Sequence, residues 1–311
     1  MQNSTTTIPH KPVLYRETID AFKDIDSGYI IDCTMGYAGH SSMILESNPN
    51  ITLIGIDQDQ TAIDFSTQRL EPFKDRVIIK KGRFSEVIKE ILKEIDISEI
   101  RGVLADIGVS SLQLDQMDRG FSFSSDVLDM RMDKNAPLSA MNVVNEYSVN
   151  EIAHILKEYG ELSNAKKVAQ RIVAERPFSS AKALSDALQP VLYQGKKIHP
   201  STLVMQAIRI EVNDELGELK RLLHEIYEAG LEEARIGIIS FHSLEDRIVK
   251  QEFVRWAKKC SCDPHAMRCM CSRDNDIGKI ISKKPIMAQK DELKENARSR
   301  SAKLRLFDII S

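Results

Sequence analysis

Three carboxylates in the first third of the chain each stand in or at the end of a short apolar run. Asp32 lies in Tyr29–Cys33 (YIIDC), Asp57 closes Thr52–Asp57 (TLIGID), and Asp106 lies in Gly102–Gly108 (GVLADIG). Asp32 leads straight into Asp32-Cys-Thr-Met-Gly36-Tyr-Ala38-Gly39-His40-Ser41. A glycine turn after a first strand lets backbone approach a ligand closely, and the helix N-terminus that follows favours a negative group. Asp57 comes 18 residues after Gly39. A doubly wound sheet places a carboxylate there to accept hydrogen bonds from ribose hydroxyls. The chemistry this spacing suggests is the binding of a nucleoside-containing cofactor. A plain strand–turn–helix without a ligand is the bland alternative, and three acids at successive strand ends weigh against it.

The turn also discriminates among cofactors. Dinucleotide binding calls for G-x-G-x-x-G, but the register here gives Gly36-x-Ala38-Gly39 with Ser41 in the third place. S-adenosylmethionine has no pyrophosphate, so its methionine carboxylate needs only a turn and a few N–H groups. The pattern therefore favours S-adenosylmethionine over NAD. Asp106 has a second reading as an ordinary cap or loop hydrogen-bonding group.

The elements that must position these residues follow from periodicity. Tyr29–Cys33, Thr52–Asp57, Arg76–Lys81 and Gly102–Gly108 read as buried strands, separated by helical segments at Gln60–Leu70 and Phe84–Leu92. That alternation predicts βαβ units and a parallel sheet. From Ser111 to Gly217 the pattern is loop and helix only. Ser148-Val-Asn-Glu151 is a capping box ahead of Ile152, Ile155, Leu156 and Tyr159. His199-Pro200 opens a longer helix through Asn213, in which Gln206, Arg209 and Asn213 share a face. Strand character returns at Arg235–Phe241, a helix capped by Ser243 with Asp246 follows, and Ala302–Ile310 alternates like a half-exposed strand. The expected organisation is an α/β domain, 1–112 and 217–311, interrupted by a helical insertion over 113–216.

Composition bounds the function classes. The chain has 311 residues, 43 Lys+Arg and 46 Asp+Glu, hence a net charge of −3, and 42% hydrophobic residues. No run approaches the ~18 apolar residues of a membrane span, and the polar start resembles no signal peptide. A cytoplasmic protein with no membrane partner is expected. Arg247–Arg305 holds 16 basic and 7 acidic residues, net +9, on a body summing to −12. That asymmetry suits an anionic partner approached from one side. Cys33 reads as core. Cys260-Ser-Cys262 and Cys269-Met-Cys271, with His265 between the pairs, form a candidate structural zinc site, since a reducing compartment disfavours disulfides.

With these residues in place the sequence resembles the MraW family of bacterial small-subunit ribosomal RNA methyltransferases (methyltransferase H). The resemblance runs from His10-Lys-Pro-Val-Leu14 to Arg298-Ser-Arg-Ser-Ala-Lys-Leu-Arg305. It includes Gly39-His-Ser41, Asp106-Ile-Gly-Val-Ser-Ser111 through Gln113, Arg119-Gly-Phe-Ser-Phe123, Leu128-Asp-Met-Arg-Met-Asp133 and Ser240-Phe-His-Ser-Leu-Glu-Asp-Arg247. It implies a class I S-adenosylmethionine-dependent methyltransferase (Rossmann-like) domain with a helical insertion for substrate recognition. The implied reaction is methylation of cytosine N4 in the P-site decoding region of 16S rRNA, within the small ribosomal subunit. The implied cofactor contacts are Ala38, Gly39, His40, Asp57, Phe84, Asp106 and Gln113. Asp106 is also the candidate catalytic residue, set beside the target amine. Ala38 stands where the family usually has glycine, and Ala297 where it has proline. A similar cysteine quartet comes and goes among relatives, which argues against a catalytic role for it.

Phe121, Phe123, Phe241 and His242 are candidates to hold an extruded base. Lys166, Lys167, Arg171, Arg298, Arg300, Lys303 and Arg305 are candidate phosphate contacts, and the Gln206 face is a candidate RNA reader. The competing readings are an NAD-dependent oxidoreductase, a methyltransferase with another RNA or DNA target, and a non-catalytic RNA-binding assembly factor. Oligomeric state stays open.

Overall fold

The computed structural model describes residues 11–109, 114, 116–192, 201–260, 262, 271 and 275–310. The chain divides into two compact units, Met1–Gly108 with Gly217–Ser311, and Val109–Leu216. Gln113, His265 and Cys269 lie outside the described residues.

The first unit is built on a seven-stranded sheet in the order β3-β2-β1-β4-β5-β7-β6. Its strands are β1 (Gly28–Asp32), β2 (Ile51–Asp57), β3 (Val77–Lys81), β4 (Ile100–Asp106), β5 (Glu233–Ser240), β6 (Gly278–Ile280) and β7 (Lys303–Ile310). The first five run parallel, and β7 enters antiparallel between β5 and β6. This is a doubly wound α/β sheet, the architecture that the resemblance implies. The apolar runs of β1, β2, β4 and β5 become central strands because both faces are covered, whereas β3, expected as a buried strand, lies at the sheet edge and buries none of its residues fully. One face packs Ile31, Ile54, Val103 and Ile236 against helices α4 (Phe84–Glu94) and α10 (Glu215–Glu228, from Gly217 on). The other packs Ile30, Leu53, Leu104 and Ile239 against α1 (Tyr15–Phe22) and α2 (Gly39–Ser47). Cys33 is core, as read, and burial pushes its thiol pKa up.

Order reversal occurs beside β1, with β2 on one side and β4 on the other. Side chains at the carboxyl ends of β1, β2 and β4 therefore border one crevice, the usual ligand position in an open α/β sheet.

Three further details differ from the sequence reading. Ala302–Ile310 is not half exposed: Leu304, Arg305, Leu306, Phe307 and Ile309 are all buried. β7 is sandwiched between two strands, and its charges are neutralised in place. Arg305 is bidentate to Asp246 (2.7 and 3.1 Å), and Asp308 receives Arg235 (2.7 and 3.0 Å). Asp246 is thus committed to Arg305 instead of capping the helix α11 (Ser243–Trp256). The cap sits one residue earlier, as a box between His242 and Glu245. Strand β6 went unread because only three residues form it.

Among its described residues the second unit is helical: α5 (Ala140–Glu146), α6 (Val149–Glu158), α7 (Ala165–Ala174), α8 (Ala181–Leu188) and α9 (Ser201–Asn213). Its own core includes Val144, Ile152, Leu156, Val168, Ile172, Leu184 and Ile208. The Ser148/Glu151 capping box is present at α6, and Ser139 with Asn142 makes a second at α5.

Candidate active site

Asp32 is the foundation of the turn. It is buried; one carboxylate oxygen accepts the Thr34 N–H at 3.1 Å and the other the Ser41 hydroxyl at 2.6 Å. Burial raises its pKa, against those two bonds and the nearby His40. Serine in the third place of the motif therefore has a job: it ties α2 back to β1. Thr34 extends the same brace, its hydroxyl accepting the Asp106 N–H at 2.6 Å and so linking the ends of β1 and β4.

Between these braces the backbone turns through left-handed geometry at Gly36 (φ 51°) and again at Ala38 (φ 56°, ψ 33°). An L-residue there costs roughly 1–2 kcal/mol relative to its relaxed conformation. The Ala38 methyl is fully buried, which partly offsets that cost. Gly39 opens α2 against Pro12; a Cβ on it would come within 3.2 Å of the proline ring. The sequence motif and the His10–Leu14 block thus meet in space.

Asp57 closes the far side of the turn. One of its oxygens accepts the Gly36 N–H at 2.8 Å and the other the Asp59 N–H at 2.8 Å. Each retains a lone pair for a further donor. Burial raises its pKa to about 6, although both backbone bonds favour the carboxylate. Phe84 begins α4 just after β3. That first turn is pinned by Glu218, which accepts Ser85 at 2.7 Å and Arg83 at 3.3 Å.

His40 and Asp106 form the floor. The His40 ring is buried, with Nε2 2.8 Å from the Val13 carbonyl and Nδ1 3.8 Å from Asp106 Oδ2. The other Asp106 oxygen, Oδ1, is shielded from solvent and has no hydrogen-bond partner. Burial raises the Asp106 pKa to about 6; His40 opposes the rise, and Asp32 and Glu245 add to it. A buried acceptor left without a donor costs on the order of 1–3 kcal/mol. Supplying a donor from a ligand would recover that, which is what an amino-bearing ligand in the crevice offers. Together, Asp57 with open lone pairs and the left-handed turn Gly36–Ala38 at the N-terminus of α2 fit an adenosyl cofactor. Ala38, Gly39, His40, Asp57, Phe84 and Asp106 all belong to this unit, and Gln113 lies outside the described residues.

The remaining candidates are sorted by their partners. Phe241 is half-buried at the end of β5, and its N–H donates to Glu245 at 2.9 Å. His242 caps α11; its Nε2 lies 2.9 Å from Glu245 Oε1 but without hydrogen-bond alignment. In the helical unit Phe121 is buried and Phe123 exposed. The Gln206 face turns inward within that unit. Gln206 donates to the Tyr159 carbonyl (3.2 Å), Arg209 is bidentate to Glu215 (2.8 Å twice), and Asn213 bridges the Met130 carbonyl and Met132 N–H (2.8 Å each). The side chains are partly buried and bonded within that unit, so the face is not a freely solvated one. Arg305 and Lys303 serve Asp246, and Arg171 serves Glu175 at 2.9 Å, whereas Lys166, Lys167 and Arg300 are exposed.

The chain was compared with known proteins. The model of the MraW methylase family matches residues 7–310. A protein of Sulfurimonas denitrificans named ribosomal RNA small subunit methyltransferase H is 65% identical over 303 residues, covering 97% of this chain and 99% of that one. Proteins of the same name from Nitratiruptor sp. and Campylobacter curvus are 55% and 53% identical, each alignment covering 97% of this chain and 98% of the relative.

Proposed function

The chain belongs to the MraW methylase family, and from that premise we propose that it transfers a methyl group from S-adenosylmethionine to N4 of a cytidine in the P-site decoding region of 16S rRNA. The substrate is the rRNA within the small ribosomal subunit, and the reaction belongs in the cytoplasm. No helix among the described residues is long and apolar enough to cross a membrane.

The cofactor supplies an already activated sulfonium methyl, so the protein's work is alignment and charge placement. Asp57 would accept the ribose hydroxyls. The turn Gly36–Gly39 and the N-terminus of α2 would hold the methionine end, with Phe84 and Gln113 as further contacts. His40 holds the start of α2 to the chain at Val13 and places its other ring nitrogen 3.8 Å from Asp106.

The acceptor amine is the harder problem. The N4 lone pair of cytosine is delocalised into its ring, so N4 is a weak nucleophile until an acceptor draws on its hydrogens. Asp106 is assigned that role: its carboxylate accepts an N4–H, lets the nitrogen pyramidalise, and stabilises the positive charge that develops on it. As the N4–methyl bond forms, the donor's methyl–sulfur bond breaks with its electron pair left on sulfur, and the surplus N4 proton passes by way of Asp106 to solvent. The observation that carries this reading is the Asp106 carboxylate at the end of β4, its side chain 25% exposed and one oxygen without a hydrogen-bond partner among the described residues, inside a chain whose family is methylases.

The test uses small ribosomal subunits from a strain lacking the activity. They are incubated with the purified protein and isotopically labelled S-adenosylmethionine, and the rRNA nucleosides are resolved by mass spectrometry. Labelled N4-methylcytidine, mapped to the decoding region, is the expected result. Label in another nucleoside, or none with subunits and naked rRNA alike, overturns it.

A further inference from the structure

The segment between α11 and β6 makes a long excursion at the end of the sheet away from the crevice. Trp256 ends α11, and β6 begins at Gly278, paired with Ile309 near the end of β7. The base of the excursion is stitched: the Ile277 N–H donates to the Trp256 carbonyl at 2.9 Å. One step further out, Asn275 donates to the Lys259 carbonyl from its backbone at 3.3 Å and from its side chain at 3.0 Å. Apart from cysteines and Pro264, the only apolar side chains that the sequence supplies over 257–276 are Ala257, Ala266, Met267 and Met270.

The cysteines are placed to tether the segment. The sulfurs of Cys260, Cys262 and Cys271 lie within 4.8 Å of one another, and all three side chains are half-buried. Cys260 Sγ and Cys271 Sγ are 3.6 Å apart. A disulfide would require about 2.05 Å. Two thiolates on one tetrahedral zinc, each with a Zn–S bond of about 2.3 Å, are separated by roughly 3.8 Å. The observed spacing is that of a shared metal, not of a bond. We propose that Cys260, Cys262 and Cys271 bind a structural Zn²⁺ that clasps the α11–β6 loop at the end of the sheet opposite the crevice. Each coordinating thiol gives up its proton to solvent as the ion binds. Cys269 and His265 lie outside the described residues.

The experiment begins with full-length protein produced with zinc in the medium and purified under reductant without chelator. Elemental analysis is expected to find about one zinc per chain. The double variant Cys260→Ser, Cys271→Ser is expected to lose zinc at least about tenfold, while Cys33→Ser retains it. Co²⁺ in place of Zn²⁺ should give thiolate-to-cobalt charge transfer and the visible bands of tetrahedral cobalt. X-ray absorption at the zinc edge is expected to find at least three sulfur ligands at about 2.3 Å, and fewer than three overturns the proposal. Zinc-loaded and chelator-treated protein should differ in protease cleavage within 257–276, with S-adenosylmethionine affinity changed less than about twofold. A metal-free protein with titratable thiols after zinc supply, or a Cys260–Cys271 disulfide that persists under reductant, overturns the proposal. So does zinc that stays bound in the double variant.

Discussion

The carboxyl ends of the strands and the helical unit both gather charged and amide side chains, but they use them differently. In Val109–Leu216 the polar groups close on one another. Arg119 is buried and donates to the carbonyls of Arg131 and Met132 (3.0 Å each). Asp129 is held by Arg131 (2.8 Å twice), which keeps its pKa below the usual carboxylate range against some burial. At the strand ends the acids differ from one another instead. Asp32 and Asp57 each have one protein donor on each oxygen, a hydroxyl and an N–H for Asp32 and two backbone N–H groups for Asp57, whereas Oδ1 of Asp106 has none among the described residues. Burial raises all three pKa values there. The difference teaches where to look for chemistry: a charged residue whose valences are filled internally holds a fold, and one left short is waiting for a ligand.

The largest effect should come from the acid with the least internal bonding. Asp106→Asn removes the charge and one acceptor at nearly constant volume. Turnover on small subunits is expected to fall about 10²–10³-fold, the usual scale for a lost transition-state hydrogen bond. Cofactor affinity should change less than about threefold. Single-turnover rates at saturating S-adenosylmethionine, with Kd from calorimetry, separate the two. Lost affinity with retained rate would reassign Asp106 to the cofactor, and normal values of both would remove it from the site.

Asp57→Ala should act through binding. Losing charge-assisted bonds to ribose hydroxyls is worth about 2–3 kcal/mol, hence roughly 30–150-fold in cofactor Kd. The rate at saturation should survive better than in Asp106→Asn. An unchanged Kd would show that Asp57 serves only to fix the turn through Gly36.

The helical unit should answer in the opposite currency. Asn213→Ala strands the Met130 carbonyl and Met132 N–H, at a cost of about 1–3 kcal/mol in stability by chemical denaturation. Its cofactor affinity should match the parent protein's. An Asn213 variant of full stability that loses methyl transfer would break the contrast, because it would make that face functional after all.

Much of the α/β unit was legible because its determinants are local. Apolar runs long enough to be covered on both faces, acids at their ends and a turn with glycine at Gly36 require no knowledge of distant residues. What stayed hidden depends on partners far along the chain. That Asp246 belongs to Arg305 and not to its own helix cap follows only once β7 lies beside β5. The inward turn of Gln206, Arg209 and Asn213 depends on Tyr159, Glu215 and Met130, and a helix face alone carries no sign of them. The brace from Thr34 to Asp106 spans 72 residues, so nothing near Thr34 announces it. Ala38 is a subtler case. The motif shows a missing glycine, but only the backbone shows that the alanine is held in the conformation glycine prefers.

The smallest effect, pH dependence, tests the electrostatic basis of the contrast. Asp57 and Asp106 have folded pKa values of about 6 against an ordinary 3.8. A carboxyl whose pKa rises on folding binds its proton more tightly in the native state. Its stabilising contribution is complete below about 3.8 and is lost as pH climbs through about 6. The ligand-free protein should therefore lose stability across that window, relative to an Asp57→Asn, Asp106→Asn double variant. Methyl transfer should run the other way, because Asp106 accepts the amine hydrogen only when ionised. Its ionised fraction drops about fourfold between pH ~7.5 and pH ~5.5, so the single-turnover rate at saturating cofactor should drop about fourfold too. Asp129 and Asp246, with pKa values lowered by their arginines, lose their contribution only at lower pH and leave this window undisturbed. A rate that stays flat from pH ~7.5 to pH ~5.5, with stability parallel in parent and variant, would mean that neither carboxyl carries a raised pKa. The distinction between filled and unfilled acids would then rest on geometry alone.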